Sequence, residues 1–423
     1  MSFLPSRFAT LGCTVAAVMY EEVAFEETTM SWYFRWSVAV VVAACACGRD
    51  TSGADEGVRF SKRCLMISPN EGCAVADIDR DGTMDIVAGT HWFAGPGYIP
   101  RPLREIPEFQ NDYLQNNGDH TYDVDGDGWI DVISGGWMIS EIYWFKNPGA
   151  EGLKKGLKWK QFLLKDTRGQ NEIFDLHDFD GDGVPEIFVN CWEKQAPLVV
   201  WKLVRPPEGE PTIERIVLGD SGSGHGYAFG DINGDGREDV LVETGWYERP
   251  SGDPFARPWQ FHPETALPHP SCPCVIADVN GDGRNDIIWG KAHDYGVYWW
   301  EQGEPEANGT TTWTEHLIDE SWSQAHAMAW VDIDGDGQKE LITGKRVRGH
   351  AGRDPGGKEP ACLFYYKWDP HQERFVRYVI GDFGEGIGTG MQIRTADLNG
   401  DGRLDIAVSG KTGTWVLINE GRR

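Results

Sequence analysis

Seven stretches of this sequence place oxygen-bearing side chains at positions one, three, five and nine of a nine-residue segment, with glycine at position six. They are Asp77, Asp79, Asp81 and Asp85; Asp123, Asp125, Asp127 and Asp131; Asp178, Asp180, Asp182 and Glu186; Asp231, Asn233, Asp235 and Asp239; Asp278, Asn280, Asp282 and Asp286; Asp332, Asp334, Asp336 and Glu340; and Asp397, Asn399, Asp401 and Asp405. Four such donors folded back on one point suit a hard cation, because Ca²⁺ takes about six to eight oxygens at about 2.3–2.6 Å. Glycine at position six allows the sharp turn that convergence requires. A solvated acidic turn would not repeat four donors at one phase seven times. The expectation is one structural Ca²⁺ per loop, up to seven in all. Seven divalent ions would offset about half of the formal charge of −27.

A second chemistry is carried by histidine, tryptophan, lysine and arginine. His225 and His326 each stand six residues before their acidic segment. Two imidazoles at one phase are candidates for a divalent metal, zinc among them. Where each acidic segment's following apolar run ends, the first four repeats carry Trp92, Trp137, Trp192 and Trp246, and the last three carry Lys291, Lys345 and Lys411. Tryptophan there either packs between repeats or stacks on sugar rings. The simplest reading of the lysines is solvated surface groups.

The elements that must position these groups are short strands. Each acidic segment lies between two of them, such as Cys73 to Ala76 before and Ile86 to Ala88 after. An aromatic third strand follows (Ile142 to Phe145, Val297 to Trp300), then a fourth that alternates with period two (Trp159 to Leu164, Phe375 to Ile380). The segments begin 46, 55, 53, 47, 54 and 65 residues apart, a spacing that fits four-stranded propeller blades. The last repeat lacks a fourth strand, and Val58 to Leu65 reads as one without a partner. The fold expected is all-β: a seven-bladed β-propeller over residues 58–420, with a calcium loop in each blade and the ring closed by the N-terminal strand. The loop joins the first and second strands of a blade, so the histidines and tryptophans fall on the opposite face.

Composition limits the partners. A chain of 423 residues with 66 Asp+Glu against 39 Lys+Arg is not expected to bind nucleic acid or anionic membrane surfaces. Its 40% hydrophobic and 12% aromatic content argues for a packed core. Nine cysteines show no paired zinc spacing. Residues 1–29 read as a non-structural extension or a mis-annotated start, 30–47 as a signal or lipoprotein peptide, and 48–57 as a linker. Val42-Ala43-Ala44-Cys45 resembles a bacterial lipobox, which makes Cys45 a candidate lipid anchor. The alternative is a secretory signal cleaved near Ala46. Both imply export to the periplasm or cell surface, with membrane contact only through that anchor.

The repeated Asp-x-Asp/Asn-x-Asp-Gly-x-x-Asp/Glu segments resemble the FG-GAP/VCBS repeat family, which implies a calcium-bearing propeller and leaves function open. Further along, Gln324 to Met328, Thr343 to Arg346, His350, Gly352 to Pro355 and Gly388 to Gln392 resemble the propeller domain of aldos-2-ulose dehydratase and related exported bacterial propellers. That resemblance implies elimination chemistry on a keto-sugar with a divalent metal, at His225, His326, Lys345, Arg346 and His350. The metal on His225 and His326 would polarise the sugar carbonyl. One of His91, His120 or His350 would take the α-proton, and Lys345 or Arg346 would stabilise the enolate. The cupin domains that follow the propeller in those dehydratases are absent here. The alternative is a non-catalytic propeller that binds glycans or proteins at the cell surface.

Overall fold

The computed structural model describes residues 57–422, apart from positions 111, 117, 170, 222, 308 and 309. The expectations for residues 1–56, including Cys45, lie outside the described residues. Seven four-stranded antiparallel sheets follow one another along the chain. Each spans one sequence repeat. Blade one comprises Ala74–Ala76, Asp85–Ala88, His91–Ala94 and Ile99–Pro102. Blade six shows the same plan at greater length, with Ala325–Val331, Glu340–Lys345, Leu363–Asp369 and Arg374–Gly381. In blade seven, Ile393–Ala396, Asp405–Gly410 and Gly413–Arg422 supply three strands. Val58–Met66 pairs antiparallel with Gly413–Arg422 as the fourth.

The ring follows from where the apolar side chains go. The second strand of each blade is buried on both faces, because each sheet packs against a neighbour on either side, whereas outer strands such as Ile99–Pro102 and Gln260–His262 are largely exposed. Seven core clusters result among the described residues, one at each junction of adjacent blades. The junction of blades seven and one is filled by Ile86, Ala88 and Phe93 against Leu398, Ala407 and Val416. The innermost strand of blade one lies beside those of both blade two and blade seven, so no face of the first sheet is left for solvent.

Two additions to the plan matter for the site. The connection from blade one to blade two holds a small hairpin, Glu108–Phe109 paired with Tyr113–Leu114. In blade six a short 3₁₀ turn, Gly349–Gly352, interrupts the connection after Lys345. Among the described residues no helix is long and apolar enough to cross a membrane, and all six described cysteines are free thiols.

Candidate functional site

The acidic loops share one hydrogen-bond plan. Position one accepts the backbone N–H of position six in every loop and that of position four in blades two to seven, as Asp123 does from Gly126 at 2.8 Å and Gly128 at 2.9 Å; in blade one Asp77 accepts from Asp81 and Gly82. Position nine is buried and accepts the N–H of position two; in the five loops with Asp there it also accepts an N–H from the third strand or just past its end, as Asp131 does from Val124 at 3.0 Å and Asn147 at 2.7 Å, whereas Glu186 Oε1 and Glu340 Oε1 have no hydrogen-bond partner. The glycine at position six is left-handed in every loop, from φ 83° at Gly236 to 91° at Gly337, a conformation open to glycine without strain. One carboxylate oxygen each from Asp77, Asp79 and Asp85 lies within 4.8 Å of the other two; the same holds for Asp123, Asp125 and Asp127, and for Asp178, Asp180 and Glu186. Burial pushes the position-nine carboxyls of Asp85 and Asp131 up to about 7. A cation at the loop would offset that cost.

At the other end of the inner strands lies a cavity of about 550 Å³. Its lining divides by chemistry. Phe109, Trp137, Met138, Ile139 and Trp192 are apolar or aromatic, whereas Glu172, His225, His269, His293, Arg346 and His350 carry charge or imidazole. The positions follow from the blade plan. Glu172 immediately precedes the first strand of blade three, His225 stands two residues before that of blade four, and His326 is the second residue of that of blade six. His293 lies between the second and third strands of blade five.

Ring nitrogens of His225, His293 and His326 lie within 4.8 Å of one another. His293 Nε2 is 3.2 Å from His225 Nε2. Glu172 Oε1 is 3.6 Å from His225 Nε2 and 3.5 Å from His326 Nε2. Four ligands at about 2.0–2.2 Å from one ion stand about 3.3–3.6 Å apart in tetrahedral geometry, so these separations match a common centre. The outer nitrogens are committed elsewhere: His225 Nδ1 is 2.8 Å from Pro270 O, and His293 Nδ1 is 3.1 Å from Asp354 Oδ2. Each such bond fixes the tautomer that leaves Nε2 facing the centre. His326 is fully buried; its Nδ1 has no hydrogen-bond partner and its Nε2 faces only the Glu172 carboxylate at 3.5 Å, an arrangement that costs free energy unless something fills it.

The electrostatics divide the four groups: burial acts downward on His225, but Cys272 and Glu172 outweigh it and hold it well above the usual histidine range. Burial holds His326 well below the usual histidine range, and the Arg346 guanidinium adds to it. Burial likewise lowers His293 to about 4, so both imidazoles are neutral ligands at neutral pH. For Glu172 burial acts upward, but His225 and His326 outweigh it and hold the carboxyl well below its usual range. Asp354 is treated the same way by His293 and His350 and falls to about 2.

The sequence-expected residues separate into those that converge and those that do not. His225 and His326 meet, joined by His293 and Glu172. His350 and Arg346 line the cavity. His350 Nδ1 lies 3.0 Å from Asp354 Oδ1. Arg346 is buried in a two-pronged pair with Glu71 at 2.8 and 2.9 Å. Three expected catalytic residues lie outside the lining. Lys345 is fully buried, with Nζ 2.6 Å from Ser323 Oγ and 3.3 Å from its carbonyl. His120 is buried in the first strand of blade two, with Nε2 2.8 Å from Phe174 O. His91 sits on the third strand of blade one, with Nδ1 2.8 Å from Thr90 Oγ1. The reading of the repeat lysines as solvated is also corrected, since Lys345 and Lys411 are both buried. Trp92 and Trp246 fill blade junctions, whereas Trp137 and Trp192 line the cavity, Trp192 being 43% exposed. His269 and Asp354 carried no repeat phase. His269 had only the loop signal of Pro268-His269-Pro270, and Asp354 only its place in the Gly352 to Pro355 stretch of the resemblance.

Residues 123–189, 178–242 and 278–343 match the FG-GAP-like repeat model. The chain carries FG-GAP-like repeats. The matched FG-GAP-like stretches take in the acidic loops of blades two to six. No curated protein matches the sequence. Among solved structures, the V. cholerae biofilm matrix protein Bap1 is similar over 84% of this chain and 88% of its own, at 12% identity and a TM-score of 0.41.

Proposed function

We propose that the cavity opposite the acidic loops is a divalent-metal site, held by His225, His293, His326 and Glu172, at which the protein eliminates a β-substituent from a keto-sugar. The observation that carries this reading is the set of 3.2, 3.5 and 3.6 Å separations among three imidazoles and a carboxylate, around a fully buried histidine whose Nδ1 has no hydrogen-bond partner. When bound, a divalent ion there supplies Lewis acidity toward a carbonyl. The chain's own groups supply the rest. His350, oriented through Nδ1 by Asp354, keeps Nε2 for the proton on the carbon next to the carbonyl. That C–H electron pair becomes the enolate, with Arg346 adding positive charge beside it. The enolate then breaks the β C–O bond, and the departing oxygen takes the proton that His350 removed and leaves as water or an alcohol. No electrons enter or leave the balance. Trp137 and Trp192 offer ring faces on which a pyranose can stack.

Incubation with a 3-keto glycoside should give a rise in enone absorbance with the metal-loaded protein. His326→Ala should abolish it, together with the bound transition metal. His350→Ala should keep the metal and lose turnover. Metal-free protein as isolated, or turnover unaffected in His326→Ala, would overturn the reading. The half-exposed Trp192 favours a second reading, glycan binding without chemistry, for which saturable binding of the sugar with no absorbance change is the signature.

The seven loops are assigned a structural Ca²⁺ role on their convergent oxygens, and a melting temperature unchanged by chelator would remove that part. We also place the protein outside the cytoplasm, on the leader-like residues 30–47. Labelled fatty acid taken up by the wild type and lost in Cys45→Ala is the test of a lipid anchor.

A further inference from the structure

The seven loops are alike in their own residues but not in what faces them. Antiparallel pairing sets Trp201 opposite Ile187 and Tyr366 opposite Leu341, and Phe145 opposite Val132. The next residue of each third strand is Lys202, Lys367 or Lys146, which comes level with loop position nine. Directly opposite residues in an antiparallel pair point to the same side of the sheet. Each lysine therefore reaches its loop. Lys202 Nζ lies 2.5 Å from Asp180 Oδ2, 3.0 Å from Asp182 Oδ2 and 3.6 Å from Glu186 Oε1. Lys367 Nζ lies 2.6 Å from Asp334 Oδ2 and 3.7 Å from Glu340 Oε1, and also contacts Asp336. Lys146 contacts Asp125 and lies 2.9 Å from Asp127 Oδ2. The loop of blade six receives a second cation, Arg422, on Asp334 and Asp336.

The other four blades differ at the same register. Pairing of Ile86 with Phe93, Val240 with Tyr247, Ile287 with Trp300 and Ile406 with Leu417 brings up Ala94, Glu248, Glu301 and Ile418. None is a cation, and two add a carboxylate. Arg237, Arg284 and Arg403, at loop position seven, do touch Asp235, Asp282 and Asp401. Their Nε atoms are tied to the carbonyls of Arg249, Gln302 and Asn419. Within the loops they therefore reach only position five, Arg237 also lying 3.7 Å from Glu248 Oε1, and they leave positions one, three and nine to another ion.

We propose that Lys146, Lys202 and Lys367 are the resident cations of the loops in blades two, three and six, so that these three loops take no calcium and loop calcium is confined to blades one, four, five and seven. This rests on the calcium reading of the loops and corrects its count. An ammonium bonded to the position-three and position-five oxygens occupies the donors Ca²⁺ would need, and carries like charge against it. The lysine position is a selector: a basic residue there closes the site, and an acidic or apolar one leaves it open.

The test counts calcium per chain after exchange into metal-free buffer and titration with Ca²⁺. Wild type should saturate at the four loops that lack a lysine. Lys146→Met, Lys202→Met and Lys367→Met should each gain one ion, and the triple variant three. In chelator each single variant should melt below wild type and below Lys165→Met, an exposed lysine on the outer strand of blade two, and added Ca²⁺ should restore it. Seven ions on wild type would overturn the proposal while upholding calcium in the loops. No ions on wild type would overturn the calcium reading, and the lysines would then be judged by melting in chelator. There, single variants that melt like Lys165→Met would overturn them as well.

Discussion

At the scale of single residues, the molecule spends charge on position. Arg346 and Glu71 are both buried, and two hydrogen bonds join them. Burial acts upward on Glu71, yet Arg346 holds its carboxyl below the usual range. Removing one partner strands the other's charge away from water, which costs about 3–5 kcal/mol. Arg346→Met should lower the unfolding free energy by about that amount in urea denaturation. Arg346→Met combined with Glu71→Gln should recover most of it, because neither charge remains. A double variant no more stable than the single one would mean the pair holds something other than itself. Arg346 was legible as a site residue from the Thr343 to Arg346 stretch. Its partner was not, because Glu71 is 275 residues away and belongs to another blade.

At the scale of elements, the small hairpin between blades one and two shows how a loop is anchored beside the cavity. Asp112 of its turn meets Arg348 at 3.0 Å and Lys411 at 3.3 Å, and the Lys411 ammonium lies 3.3 Å from the Tyr113 ring centre. Lys411 also donates to Arg348 O at 2.7 Å. Burial lowers the Lys411 pKa to about 8, from which Glu71 and Asp112 do not rescue it. A lysine depressed in the folded state binds its proton less tightly than in the unfolded chain, so the penalty is present in full below pH 8. It is relieved as pH rises from about 8 toward the ordinary value near 10.4. Wild-type stability should therefore gain about 1–3 kcal/mol across that window, and Lys411→Met should flatten the rise in urea midpoints measured at pH 8 and 10. Parallel curves for the two proteins would remove Lys411 as the source. The sequence placed this lysine at the end of a strand on the cavity face, where it is. Solvation was the wrong expectation because the hairpin that covers it comes from a different repeat.

At the scale of the whole molecule, closure joins the ends of the described chain. Val58–Met66 lies beside Gly413–Arg422 over most of its length, with Lys62 opposite Leu417 and Cys64 opposite Trp415. Val58 itself is buried in the junction of blades six and seven, where its N–H donates to the Tyr365 hydroxyl at 2.9 Å. Deleting residues 57–66 would expose a long strand edge and part of that junction. The deleted protein should lose its single cooperative melt and gain light scattering on heating. A deletion variant that melts as sharply as the full chain would show that the ring holds without this strand.

The acidic loops and the strands around them are local objects. A nine-residue pattern and a two-residue alternation lie within one repeat, and seven repeats of blade length leave little choice but a ring of seven sheets, so the sequence by itself determined the architecture and which face carries the acidic loops. It also singled out His225 and His326, because both sit at one phase of that repeat. Convergence is a different matter. Glu172, His225, His293 and His326 come from blades three to six and meet only because the ring turns their strand ends inward, whereas His91 and His120 are turned into packing by the same curvature. The lysines that enter three of the loops were hidden for a related reason. Their contact depends on register between the second and third strands, which hydrogen bonding across the sheet fixes and sequence spacing does not.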